Sequence, residues 1–156
     1  MKAITIFERC RSAEGDMRRI RQRIEQRREA AENITPRMDA IGGGHGTTEP
    51  DKIAAFVAAI SELEAELQAR EQEHRVETAA ACILLDSLPG RVSMVLHLYY
   101  VRGVKPSAIS SKMRFCESYI RKMKAEGEEL LAGIAPANVD ATLPAWYLRE
   151  YPEKQR

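Results

Sequence analysis

Residues 105–124 concentrate positive charge in a form that suits binding to an anionic polymer. The segment KPSAISSKMRFCESYIRKMK holds six basic side chains and one acidic one, although the whole chain of 156 residues carries a formal net charge of only +1. Lysines and arginines spaced along short helices can neutralise the phosphates of a nucleic acid. Residues 89–124 hold eight Lys/Arg and one Glu, a net +7, whereas residues 50–88 hold three Lys/Arg and eight Asp/Glu, a net −5. The charge is therefore strongly segregated along a nearly neutral chain.

The apolar pattern divides this basic segment into two short helices joined by a tight turn. The first is predicted over Pro106–Met113 and the second over Cys116–Leu131, with the residues MRFC forming the turn. At 100° per residue, four positions of the second helix fall within about 40–60° of one another and predict its buried face. They are Cys116, Ile120, Met123 and Gly127. Two such helices, the second of them basic, are the layout of a helix-turn-helix whose second helix enters the major groove of DNA.

The side of the second helix opposite this buried face carries residues that can read base edges. The predicted base-reading residues are Glu117, Ser118, Arg121 and Lys122. Arginine or lysine can donate to O6 and N7 of guanine, glutamate can accept from the cytosine amine, and serine can do either. A second set surrounds this face and is predicted to contact phosphates, which position a protein without reading sequence. This set is Arg102, Lys105, Ser107, Lys112, Arg114 and Lys124. The alternative is a solvated basic helix that does not bind DNA.

The rest of the sequence offers no catalytic or metal-binding constellation. Three cysteines and three histidines are widely scattered and fit no metal or redox spacing, so Cys10, Cys82 and Cys116 are predicted to be buried thiols. The glycines at 42–46 lack the Gly-Lys-Ser/Thr ending and the preceding apolar strand of a phosphate-binding loop. No nucleophile–base pair or carboxylate dyad is visible. The sequence therefore predicts neither an enzyme nor a protein with a bound metal or cofactor.

Two long helices precede the basic segment and are predicted to form an antiparallel, coiled-coil-like hairpin over residues 1–88. The first, over residues 2–34, is basic and is expected to stop before Pro36, because proline disfavours helical geometry at the preceding residue. A flexible glycine-rich link is expected over 36–48, followed by an acidic helix of nearly 40 residues that starts at a Thr48 cap. The opposite charges favour pairing of the two helices. The arginines could instead contact phosphates, and a homodimer could use the same apolar seams.

Apolar residues recur along both long helices at the spacing of three to four residues that is typical of a helix–helix seam. The seam of the first helix is predicted to consist of Met17, Ile20, Ile24, Ala31 and Ile34. The apolar face of the second is predicted to consist of Ile53, Val57, Ile60, Leu63, Leu67, His74, Ala81, Leu85 and Leu88. With a helix-turn-helix domain over 89–132 and an irregular tail over 133–156 that contains a short aromatic turn around Trp146, the predicted fold is all-α. The sequence has no apolar run long enough to span a bilayer and no signal peptide, so a cytoplasmic location is expected.

The residues LPGRVSMVLHLYYVRGVKPSAISSKMRFCESYIRKMK resemble the −35-reading C-terminal domain of bacterial sigma factors. The matching positions are Leu88-Pro89, Leu98-Tyr99-Tyr100, Gly103, Ile109, Met113 in a leucine slot and Ile120-Arg121. From about residue 14 to 131 the chain is similar to phage and prophage sigma-like regulators of the ArpU/RinA late-gene type, which join a helical hairpin to this domain. The sequence departs from the pattern at Arg114, where the turn usually has glycine, and at Cys116, which replaces a capping serine.

This resemblance implies a sequence-specific transcriptional regulator, encoded by a phage and acting near a promoter on the nucleoid of a bacterial host. It implies double-stranded DNA and RNA polymerase as partners, with the hairpin serving oligomerisation or partner contact. One alternative is the DNA-recognition subunit of a phage packaging machine, which a ring of many subunits would favour. The other is a helical adaptor that does not bind DNA, which loss of duplex binding at low salt would favour.

Overall fold

The computed structural model describes the backbone of residues 1–40 and 49–152, and the side chains of residues 1–33 and 51–152. These residues form helices and connecting turns without any strand, which confirms the predicted all-α class. The helices are α1 (Ala3–Ala40), α2 (Glu49–Leu85), α3 (Gly90–Leu96), α4 (Pro106–Met113), α5 (Glu117–Ala132), α6 (Pro136–Thr142) and α7 (Ala145–Glu150). A π-helical segment, His97–Val101, continues α3.

The two long helices have nearly the predicted lengths, but the predicted end of the first is wrong. Helix α1 continues through Pro36 to Ala40. A proline removes one backbone donor and makes helical geometry unfavourable just before it, but this marks a probable rather than an obligatory boundary. The predicted link at 36–48 therefore begins inside α1. Residues 41–48, with the proposed Thr48 cap, lie outside the described residues, as does the side chain of Ile34.

The chain forms two compact units, and both long helices contribute to each of them. One unit, here called the hairpin unit, comprises Gly15–Glu71, and the other, the composite unit, comprises Met1–Glu14 with Gln72–Arg156. The sequence-based division falls instead at residues 88/89. The two divisions differ because the first turns of α1 and the last turns of α2 pack with the helices that follow them.

In the hairpin unit, α1 and α2 run antiparallel and carry complementary charges, as predicted. Their shared core consists of Ile20, Ile24 and Leu63, with Ile60 and Leu67 packed against it. Ion pairs join Arg21 to Glu71 at 3.0 Å, Arg23 to Glu66 at 3.6 Å and Arg28 to Glu64 at 2.9 Å. Such exposed pairs contribute little stability individually but favour this pairing over others.

The apolar face predicted for α2 does not begin where expected. Ile53 and Val57 are 38% and 59% exposed. The apolar contact with α1 within the hairpin unit is made by Ile60, Leu63 and Leu67 instead. The prediction for Ile53 and Val57 is therefore wrong, because periodicity marks which residues share a face but not how far along the helix a partner covers it.

The core of the composite unit brings together residues from both ends of the chain. Ile6, Phe7 and Cys10 of α1 pack in one cluster with residues of α2, α3, α5, α6 and α7. From these five helices the cluster includes Val76, Ala80, Ala81, Leu84, Leu85, Val92, Leu96, Leu131, Val139 and Tyr147. At its edge Arg9 forms an ion pair with the buried Glu77 at 2.6 Å.

The tail expected to be irregular over 133–156 forms two short helices, α6 and α7, as far as residue 152. The predicted aromatic turn corresponds to α7, and Tyr147 is 2% exposed. Prolines precede or start each helix, since Pro136 is the first residue of α6 and Pro144 caps α7. Proline is well suited to such positions because the first amides of a helix have no partner within it.

Candidate nucleic-acid interface

Helices α4 and α5 pack against α3 around a small cluster of their own. Val95, Ile109, Ile120 and Met123 are buried in it, and partly buried apolar residues close its edges. Helix α4 begins at Pro106 after an extended Lys105 and ends at Met113, as predicted from the sequence. The chain thus holds two short helices at a fixed angle around one core, which is the framework that a helix-turn-helix requires.

Two backbone features set the turns that flank α4. Before it, Gly103 has φ 64°, a conformation that glycine adopts without strain, and the Val104 amide donates to the Leu98 carbonyl at 2.9 Å. After it, Arg114 has φ 58° and ψ 37°, a left-handed conformation that is unfavourable for most side chains. The Ser110 hydroxyl donates to the Phe115 carbonyl at 2.5 Å and holds this second turn.

The buried face predicted for α5 is correct except at its first member. Ile120, Met123 and Gly127 are buried, together with Leu131, but Cys116 is exposed. Cys116 is the N-cap residue with an extended backbone, φ −67° and ψ 152°, so the helical angle of 100° per residue does not apply to it. The buried-thiol prediction therefore holds for Cys10 and fails for Cys116, while Cys82 is half-buried.

The Cys116 thiol lies beside the Ser118 hydroxyl, with Sγ and Oγ 3.2 Å apart. This hydrogen bond lowers the pKa of the Cys116 thiol, and proximity to the Tyr119 backbone amide lowers it further. Sulfur is a weak acceptor, and the thiol does not make the side-chain capping hydrogen bond that a serine would supply. The first amides of α5 are therefore available to solvent or to a ligand.

The predicted base-reading residues share the solvent-facing side of α5. Ser118, Arg121 and Lys122 are exposed, and Glu117 is partly exposed at the first turn. Glu117 accepts a hydrogen bond from the Arg121 guanidinium at 2.6 Å, a pair of residues one turn apart. Among the described residues Lys122 has no ion-pair partner, so its charge faces solvent.

Five of the six predicted phosphate-contacting residues are exposed around this face. They are Arg102, Lys105, Ser107, Lys112 and Arg114. Within the part of the chain that the structure describes, none of the four cations in this set has an ion-pair partner. A region of unpaired positive charge beside an exposed helix attracts phosphates and loses bound counterions when they arrive.

Lys124, the sixth, is half-buried and belongs to a network that fixes α5 to its neighbours. Its ammonium group pairs with Glu128 and lies 4.6 Å from the centroid of the Tyr99 ring. The Arg11 guanidinium lies 3.7 Å from the same centroid and donates to the Tyr99 carbonyl. The Tyr100 hydroxyl donates to Glu128. Lys124 thus helps to hold α5 in place. Of the six residues predicted to contact phosphates, it is the least available to do so, because its ammonium group is already paired with Glu128.

The protonation states of Tyr100 and Glu128 favour the hydrogen bonds that Glu128 accepts from Tyr100 and Lys124. Burial raises the pKa of Tyr100, and the hydrogen bond to Glu128 raises it further, so the phenol stays protonated as a donor. Desolvation alone would raise the pKa of Glu128, but hydrogen bonds from Lys124 and Tyr100 outweigh it and lower the pKa. Glu128 is therefore an ionised acceptor, which suits two simultaneous donors.

Sequence reasoning missed an aromatic pair on the flank of α5. The rings of Phe115 and Tyr119 have centroids 5.1 Å apart at an interplanar angle of 59°, and Tyr119 is 37% exposed. On the other side, the Arg91 guanidinium lies 5.7 Å from the Phe115 centroid. Helical spacing could not have revealed the pair, because Phe115 lies in the turn before the N-cap Cys116 and only Tyr119 belongs to α5.

Gly127 has a packing role that the sequence did not show. A Cβ atom at this position would lie 2.6 Å from Cδ1 of Leu96 and 2.7 Å from Cγ1 of Val92. Glycine therefore allows α3 and α5 to approach closely at Val92 and Leu96, which belong to the core of the composite unit. Its cost in helix propensity, about 1 kcal/mol relative to alanine, is offset by this contact.

Within the described residues there is no group of three or more histidine, cysteine or acidic side chains that could hold a metal ion. None of the helices in the described ranges is long and apolar enough to cross a membrane. Comparisons of the chain with protein-family models, with curated proteins and with solved structures find no match.

Proposed function

We propose that this chain binds double-stranded DNA in a sequence-specific manner, with α5 in the major groove, and regulates transcription. The observation that supports this most strongly is the contrast between two groups of cations. In the hairpin unit, Arg21, Arg23 and Arg28 are neutralised by glutamates of α2. Beside α5, Lys105, Lys112, Arg114 and Lys122 are exposed, and the described residues offer them no acidic partner. A purely structural role does not account for the clustering of this second group around one helix.

The positions of the two sets of side chains around α5 support different roles for them in DNA binding. Ser118, Arg121 and Lys122 lie opposite the buried face, where they would meet base edges. Lys105 and Arg114 lie at the start of α4 and in the turn after it, where the first helix of such a motif crosses the DNA backbone. The Glu117–Arg121 pair would orient the arginine before binding, so that Glu117 supports the readout or accepts from a cytosine amine.

The role in transcription is supported by the sequence resemblance of residues 88–124 to a promoter-reading domain. A sigma-like domain implies action beside RNA polymerase, as an activator or accessory factor. Aromatic residues make up only 6% of the chain, which argues against promoter opening by this protein alone. A phage origin and contact with polymerase are parts of this proposal that the resemblance supports.

The first test is selection of binding sites from a pool of randomised DNA duplexes, with the purified full chain at moderate salt. Enrichment of a defined motif is the expected result. A palindromic motif whose half-sites are one helical turn apart would indicate in addition that the protein binds DNA as a dimer. Binding without enrichment would leave sequence-specific recognition unsupported. No binding even at low salt would contradict the proposal and favour the adaptor.

Substitutions on α5 and beside it should separate readout from phosphate binding. Arg121→Ala and Lys122→Ala should each lose discrimination between the selected and unrelated duplexes, by about 1–3 kcal/mol. Lys105→Ala should weaken binding to all duplexes equally and reduce the salt dependence of log K by roughly one unit. Binding titrations at several salt concentrations measure both effects.

The control is Arg18→Ala, which removes an exposed arginine of α1 and should leave selectivity unchanged. Equal, non-selective losses in the three variants on and beside α5 would refute the assigned reading face.

A further inference from the structure

Tyr119 occupies a position on α5 that its contribution to the core does not explain. It is the third residue of the helix, 37% of it is exposed, and its hydroxyl has no hydrogen-bond partner among the described residues. One side of its ring lies against Phe115, with centroids 5.1 Å apart. The part of the ring that remains exposed is open to contact with whatever approaches α5.

Phe115, which braces Tyr119, is itself fixed from three directions. It packs against the cluster formed by α3, α4 and α5, and its carbonyl accepts the Ser110 hydroxyl at 2.5 Å. The Arg91 guanidinium lies 5.7 Å from its ring centroid. Tyr119 therefore rests on a rigid support, and a tyrosine has only two side-chain torsions to immobilise. Both features reduce the entropy lost when the ring makes a contact.

The position of Tyr119 relative to the proposed reading face indicates which part of the DNA its ring could contact. At 100° per residue it lies about 60° from Lys122 and on the flank between the reading face and the buried face. The N-terminal residues of a recognition helix reach base edges in the major groove, so an exposed residue on the flank of its first turn lies within reach of the same edge. The apolar group displayed at that edge of the major groove is the C5-methyl of thymine.

We propose that the Tyr119 ring packs against the C5-methyl group of a thymine in the recognised site and makes Tyr119 a specificity-determining residue. This inference rests on the proposed function. It adds an apolar contact to the polar readout by Ser118, Arg121 and Lys122, and it explains why an aromatic ring is held exposed beside those residues. A cytosine at the same position has no methyl group and loses the contact.

The test uses the duplex enriched from the randomised pool, synthesised with each thymine replaced in turn by uracil, which lacks only the methyl group. The unmodified protein should bind about fourfold more weakly when the contacted thymine is replaced, as expected for one buried methyl group. Tyr119→Ala should bind the thymine and uracil duplexes equally. Tyr119→Phe, which keeps the ring and removes the hydroxyl, should retain the preference.

A matched control is Leu130→Ala, because Leu130 is an exposed apolar residue of the same helix, 41% exposed and three turns further on. This variant should keep the thymine preference. If no motif is enriched, the proposed function fails and the inference fails with it. If a motif is enriched but no uracil replacement weakens binding, or if Tyr119→Ala keeps the preference, the inference alone is overturned.

Discussion

Arg114 combines a strained backbone conformation with an exposed positive charge. Its backbone has φ 58°, where residues other than glycine, asparagine and aspartate are strained by roughly 1–2 kcal/mol. Its guanidinium is exposed beside α5, where we propose that it contacts a phosphate. A glycine at this position would remove the strain and the charge together.

Two substitutions at Arg114 should separate the effect of the charge on DNA binding from the effect of the backbone strain on stability. Arg114→Gly and Arg114→Ala both remove the charge, and both should weaken binding to all duplexes equally. The glycine variant should have a free energy of unfolding about 0.5–1 kcal/mol higher than the alanine variant, because relief of strain is partly offset by a more flexible unfolded chain. Urea denaturation measures the difference. Equal stability of the two variants would mean that the left-handed turn is not populated in solution.

At the scale of the element, the two short helices α4 and α5 were largely predictable because their signals are local. Pro106 fixes the start of α4, and the spacing of Ile120 and Met123 gives the buried face of α5. The failures have local causes as well. Cys116 does not belong to the buried face, because an N-cap residue does not follow helical periodicity. Helix α1 continues through Pro36, because a proline makes the end of a helix probable rather than obligatory. The buried position of Gly127 was predicted but its close contact with α3 was not, since a close approach between helices leaves no mark in the sequence of either one.

The packing at Gly127 leads to a prediction in which one type of substitution has opposite effects at two sites. Gly127→Ala should lower the free energy of unfolding by about 1–2 kcal/mol, because the overpacking against Val92 and Leu96 exceeds the gain in helix propensity. Gly15→Ala, in the middle of α1, should raise it by up to about 1 kcal/mol, since the nearest atom to its Cβ is the end of Arg19 at 4.0 Å. Thermal and urea denaturation of both variants test this. Stabilisation by Gly127→Ala would show that α3 and α5 are not in close contact.

At the scale of the whole molecule, the sequence predicted a hairpin and a separate reading domain, but not how the cores are shared. Its periodicity showed which faces of α1 and α2 are apolar, and its charges showed that these helices pair. It gave no indication that Phe7, near the beginning of the chain, and Tyr147, near its end, belong to one cluster. Contacts between distant segments depend on shape complementarity in three dimensions, which a one-dimensional pattern does not encode.

This shared core makes the tail a structural part of the composite unit, and the last prediction follows from that. Tyr147 is 2% exposed, so Tyr147→Ala should lower the free energy of unfolding by about 3–5 kcal/mol through lost burial and the cavity left behind. Tyr119→Ala removes the same groups from a site that is 37% exposed and should cost less than about 1 kcal/mol. Urea denaturation followed by circular dichroism compares the two variants. If the two variants were equally stable, α7 would contribute nothing to the stability of the composite unit, whereas a large difference would show that this unit depends on a segment about fifteen residues beyond the end of α5.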